Sequence, residues 1–76
     1  MTDKEWKAYI KDILKSELKK RKVTYPMLVE KLNELAVKET LFSIKNKISR
    51  GTFNTVFFIQ CLKAIGCKSV RIDTEE

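Results

Sequence analysis

The 76-residue chain contains no histidine, the side chain that most often serves as acid, base or metal ligand near neutral pH. Its two cysteines, Cys61 and Cys67, are too few for the disulfide framework of a small secreted domain. Their C-x5-C spacing lacks the C-x2-C step of a zinc knuckle, so no metal or cofactor is expected. Reduced, buried thiols are the simpler expectation, with a redox pair as the alternative. One proline and two glycines leave few places to break the chain, and no linker, repeat or low-complexity tract appears. A single domain over residues 1–76 is expected. No apolar run approaches the roughly 18 residues of a membrane-spanning helix. The opening MTDKEWKAY is too polar for a secretory signal, so the cytoplasm is the expected compartment. Without a nucleophile–base pair or a Gly-rich phosphate loop, an enzyme is not expected.

Charge of one sign is also missing from a long stretch. Between Glu39 and Asp73 there is no acidic residue, while Lys45, Lys47, Arg50, Lys63, Lys68 and Arg71 all fall there. The chain carries 16 Lys plus Arg against 10 Asp plus Glu, so this stretch holds the whole +6 net charge. A surface that is merely solvated usually mixes signs, whereas a one-signed stretch suits a polyanion.

Hydrophobic spacing predicts four helices and a short strand. Thr2 and Glu5 form a capping box ahead of a helix over about 3–21, with Trp6, Tyr9, Ile10, Ile13 and Leu14 recurring at helical spacing. Lys4, Lys11, Lys15, Lys19 and Lys22 then collect into a basic ridge, which is either a solvated face or a set of phosphate contacts. Glu17 projects close to the apolar stripe, where Arg21 one turn later is its simplest partner. Thr24-Tyr25-Pro26 starts a second helix over about 25–35, with Leu28, Val29, Leu32 and Leu35 on one face.

A third helix over about 40–50 ends at Gly51 and turns Leu41, Ile44 and Ile48 inward. Its outward face is expected to present Ser43, Asn46, Lys47 and Arg50, with no acid among them. A fourth helix over about 54–65, stopped by Gly66, is apolar almost all round. Either the first helix covers it, or part of it meets another subunit. Residues 69–72 alternate as a strand that needs a partner, and a second copy of the chain is one source. The fold class is therefore all-α, a compact four-helix domain with a short C-terminal β-strand.

The order of the second helix, a short turn and a polar-faced third helix suggests a helix-turn-helix. In that reading Asn46 suits adenine, Arg50 suits guanine, and Ser43, Lys45 and Lys47 contact a base or a phosphate. Lys15, Lys19, Lys22 and Lys63 are the candidate additional phosphate contacts. Phe58, Ile59, Val70 and Ile72 are the candidate dimer interface.

The segments ELKKRKVTYPMLVEKLNEL at 17–35 and IKNKISRGTFNTVFFIQCLKAIG at 44–66 resemble a family of small bacterial domains of unknown function. RGTF at 50–53 and QCLKAIG at 60–66 are the most specific parts of that resemblance. More distantly the layout is similar to lambda-repressor or Xre-type helix-turn-helix domains. Thr24 stands at the start of the second helix and Leu62-Lys63-Ala64-Ile65-Gly66 in the helix packed behind. The chain departs from that group at Ala36-Val37, where a turn glycine is usual, and at Ser49, where an acid is usual. The resemblance implies double-stranded DNA as partner, and the expected function is transcription regulation by a bacterial or phage homodimer on the nucleoid. The alternative is a protein-interaction or oligomerisation module of the same fold. RNA is a further alternative, with Tyr9, Tyr25, Phe42 and Phe53 available to stack on bases.

Overall fold

The computed structural model describes residues 1–72 and places four helices in them: α1 (Asp3–Lys20), α2 (Tyr25–Glu34), α3 (Leu41–Arg50) and α4 (Thr55–Ala64). Each begins where a side-chain oxygen receives an otherwise unpaired backbone N–H. Thr2 accepts from Glu5, Thr24 from Met27, Thr40 from Ser43 and Asn54 from Phe57. The expected capping box is formed, with the Thr2 N–H donating to Glu5 Oε1 at 2.8 Å.

All four helices also end in the same way. The residue after the last turn adopts positive φ, and the next N–H reaches back five residues to a helix carbonyl. The positive-φ residues are Lys22, Ala36, Gly51 and Gly66, with φ of 55°, 63°, 63° and 77°. The closing bonds run from Val23 to Leu18, Val37 to Leu32, Thr52 to Lys47 and Cys67 to Leu62. Only two of these stops carry glycine. Lys22 and Ala36 hold a left-handed conformation that costs a side-chain-bearing residue about 1–2 kcal/mol. Lys22 therefore lies in the turn, outside the helical ridge expected for it.

The two-way packing of α1 and α2 against α3 and α4 builds one core. Leu14 and Leu18 meet Leu28 and Leu32, Ile44 and Ile48, and Phe57, Cys61, Leu62 and Ile65. Glu17 is the one charged side chain buried among the described residues, and Arg21 and Lys20 both donate to its carboxylate. Hydrogen bonding from Arg21 outweighs burial and holds the Glu17 carboxyl below the ordinary carboxylate range.

Two expectations are corrected. The apolar stripe of α1 is buried only at its C-terminal end: Leu14 and Leu18 are covered, while Trp6 is 52% exposed and Ile10 is exposed beside it. The cause is length, since α1 has 18 residues and the two helices that pack on it, α3 and α4, have 10 each. At 1.5 Å per residue the partners span only about 15 Å of a helix about 27 Å long. The second correction concerns residues 69–72, which form no strand, the described residues of one chain supplying no edge for them to pair with. Val70 instead packs beside the core, and the Cys67 thiol, two residues before the segment, donates to the Ser69 carbonyl at 3.1 Å.

Candidate nucleic-acid interface

α3 is held in place by Ile44 and Ile48, both fully buried, and by the left-handed stop at Gly51. That stop is packed tightly. The Lys7 carbonyl oxygen of α1 lies 2.9 Å from where a Cβ on Gly51 would stand, so the end of α3 is fixed against the N-terminal half of α1. Inward placement of Ile44 and Ile48 leaves Phe42, Lys45, Asn46, Ser49 and Arg50 on the outer half of the helix.

Ser43 and Lys47, expected on that outer face, are drawn to its flank by Glu39. The Glu39 carboxylate accepts from the Ser43 hydroxyl at 3.0 Å and from the Lys47 ammonium at 2.8 Å. Its side chain is only 12% exposed. The Lys47 ammonium also lies 4.7 Å from the centre of the Phe57 ring on α4. An acid therefore does stand among these side chains, contributed by the residue just before the Thr40 cap. Its charge is compensated internally and does not reach the outer face.

Asn46 is half-buried, and its amide donates to the Phe42 carbonyl one turn earlier at 3.1 Å. Phe42 itself is 78% exposed, the most open aromatic ring among the described residues. Lys45 and Arg50 are exposed and form no ion pair among the described residues.

The expected phosphate contacts separate into different places. Lys15 and Lys19 line a cleft of about 290 Å³ with Leu18, Val23 and the Thr24-Tyr25 start of α2. This brings two ammoniums to a helix N-terminus whose free N–H groups carry partial positive charge. Lys63, exposed on α4, borders neither this cleft nor the second one.

The second basic cleft, of about 170 Å³, was not anticipated as a unit. Lys4, Lys7 and Lys11 of α1, with Ala8, line it together with Arg50 of α3. Lys4 and Lys11 were legible as part of the basic ridge. Lys7 lies nearer the apolar side of α1, and its approach to α3 depends on tertiary packing.

Of the candidate interface residues, Phe58 is half-buried and stacks on Phe53 at 6.1 Å between ring centres. Val70 is also half-buried, whereas Ile59 and Ile72 are exposed. Both cysteines are free thiols. Burial, reinforced by the nearby Glu39 charge, pushes the Cys61 thiol up to about 12, so it stays protonated and unreactive. No group of His, Cys, Asp and Glu among the described residues could hold a metal ion, and no helix there is long and apolar enough to cross a membrane.

The geometry defines a small all-helical domain with an acid-free outer helix face and two basic clefts along one neighbouring helix. Residues 6–70 match the model of a family described as a domain of unknown function (DUF6471), and the chain belongs to that family. No curated protein and no solved structure matches it.

Proposed function

We propose that the protein binds double-stranded DNA, with α2 and α3 acting as a helix-turn-helix and the outer face of α3 entering the major groove. The observation that carries this reading is the fate of Glu39. It is the last acid before the 40–72 stretch, and its charge is taken up internally by Lys47 and Ser43. The outer face of α3 is thereby left with Lys45, Arg50, the amide of Asn46 and no carboxylate. The Lys15–Lys19 cleft at the start of α2 supplies a flanking phosphate contact on the adjoining helix.

The role that follows is regulation of transcription in a bacterium or phage, within the cytoplasm, by a homodimer. The exposed Ile59 and Ile72, together with Phe58 and Val70, supply the apolar surface for pairing. The test is fluorescence anisotropy with duplex DNA at about 50 and 200 mM salt. Contacts to six phosphates give a log–log slope of about −5. Association that is weak and indifferent to salt defeats the proposal.

A second reading rests on a separate observation. Trp6 and Ile10 on α1, and Val56 and Ile59 on α4, are exposed apolar side chains on the two helices that flank the Phe53–Phe58 stack. A protein-interaction module of the same fold would use that surface. Failure to bind duplex DNA at low salt, with helical circular dichroism intact, favours it.

A further inference from the structure

The cleft lined by Lys4, Lys7, Lys11 and Arg50 joins cations from two elements that are far apart in sequence. Contact between Gly51 and the Lys7 carbonyl sets their separation, leaving no space there for a Cβ. Lys11 has a local role, since its ammonium donates to the Ser49 carbonyl at 3.3 Å near the negative end of α3. That end of a helix carries only about half a negative charge, so one cation more than satisfies it. Lys4, Lys7 and Arg50 form no ion pair among the described residues. Asp3, one turn before Lys7, does not pair with it, and the Glu5 carboxylate is turned back onto the Thr2 backbone. No acid lines the cleft. Positive charge gathered on two helices in close backbone contact, in excess of anything the fold neutralises, suits an oxyanion with several acceptor oxygens.

We propose that this cleft binds a backbone phosphodiester of duplex DNA, with Arg50 and Lys4 and Lys7 as its ligands and Lys11 bracing the end of α3. The inference rests on the DNA-binding reading above and deepens it. It moves Arg50 from reading a guanine edge to holding the backbone. It also places a clamp at the far end of α1 from the Lys15–Lys19 cleft, about ten residues or ~15 Å along the helix axis. Base discrimination then falls to the first six residues of α3, at Phe42, Lys45 and Asn46.

The test uses the full chain and a panel of unrelated duplexes, with affinity measured against salt for the wild type, K4Q/K7Q, R50Q and R50K. Loss of one phosphate contact lowers the slope by about 0.9 and the affinity roughly tenfold near 0.1 M salt, alike for every duplex. K4Q/K7Q and R50Q are expected to show that loss, and R50K to recover most of it alike for every duplex, because an ammonium still neutralises a phosphate whatever the base sequence. All substituted side chains sit at the surface, and circular dichroism verifies the fold.

An unchanged slope in K4Q/K7Q overturns the site while leaving DNA binding intact. A sequence-selective loss in R50Q that R50K does not recover returns Arg50 to base reading and also overturns it. Absence of wild-type binding at 50 mM salt removes the DNA reading and the site together. Inorganic phosphate is the second probe: if it binds the cleft as tightly as duplex DNA at equal phosphate concentration, the ligand is a free anion and the backbone assignment fails.

Discussion

The Lys47 ammonium is held between the Glu39 carboxylate, 2.8 Å away, and the face of the Phe57 ring, 4.7 Å from its centre. A side chain that helical spacing turns toward solvent is thereby engaged in joining α3 to α4. Replacing Lys47 by Ala leaves Glu39 with only the Ser43 hydroxyl. The pair is partly exposed on the lysine side, so the cost is nearer that of a screened ion pair than of a buried one, about 1 kcal/mol. For a domain of this size that lowers Tm by about 4–8 °C. The expected pattern is reduced thermal stability together with weaker binding to every duplex, because the Glu39 charge beside α3 is no longer neutralised. A tenfold loss of affinity without a change in Tm contradicts this placement.

Ala36 and Gly51 share φ 63° but differ in what surrounds them. Ala36 terminates α2 with a Cβ where glycine would be unstrained, so Ala36→Gly is expected to stabilise by about 1 kcal/mol. Gly51→Ala incurs the same conformational penalty and also places its Cβ 2.9 Å from the Lys7 carbonyl oxygen. Its cost is about 2 kcal/mol or more. Urea unfolding of the two variants should move the midpoint in opposite directions. A stabilised Gly51→Ala would show that α1 and α3 are not held together at this point.

Acid should loosen the domain through Glu17. Hydrogen bonding from Arg21 lowers its folded pKa below the ordinary value, so the ionised form is the one the fold favours. Its contribution is present above the unfolded-state pKa and is lost as pH falls through the lower folded-state pKa. Glu5, lowered by the Thr2 backbone N–H, acts with the same sign. Glu17→Gln is expected to be less stable than wild type at neutral pH and to lose less on acidification. Thermal melts between about pH 7 and 3 check this, and parallel curves for the two proteins exclude the assignment.

Local chemistry explains which features were legible in advance. Thr2 and Thr24 are legible as short-range caps, and all four helices start within a residue of expectation, with Thr40 and Asn54 capping the other two. Glu17–Arg21 is likewise an i, i+4 pair on one helix. The turns at Lys22 and Ala36 were not legible as left-handed because neither residue prefers that conformation, and packing of the closing Val23 and Val37 beside the core supports them. Exposure of Trp6 depends on how far α1 outreaches its neighbours, a relation between elements. The diversion of Ser43 and Lys47 and the gathering of Lys7 with Arg50 have the same origin. The first depends on where an acid outside the helix folds back, the second on which end of α3 meets α1.

The two neighbours Phe58 and Ile59 separate assembly from folding. Phe58 stacks on Phe53 and borders the core, so Phe58→Glu buries a charge and should cost 2 kcal/mol or more, whatever the protein assembles with. Ile59 is 55% exposed on the adjacent face, and Ile59→Glu places its carboxylate in water within one chain. If the α4 surface joins two copies, Ile59→Glu should shift sedimentation from dimer to monomer. At protein concentrations low enough to dissociate the wild type, it should leave Tm within about 4 °C, because surface substitutions usually change stability by no more than about 0.5 kcal/mol. It should also weaken binding to a two-half-site duplex more than to a single half-site, since the second contact loses its tether. Dimeric Ile59→Glu would remove α4 from the interface and leave the exposed Trp6–Ile10 end of α1 as the next surface to mutate.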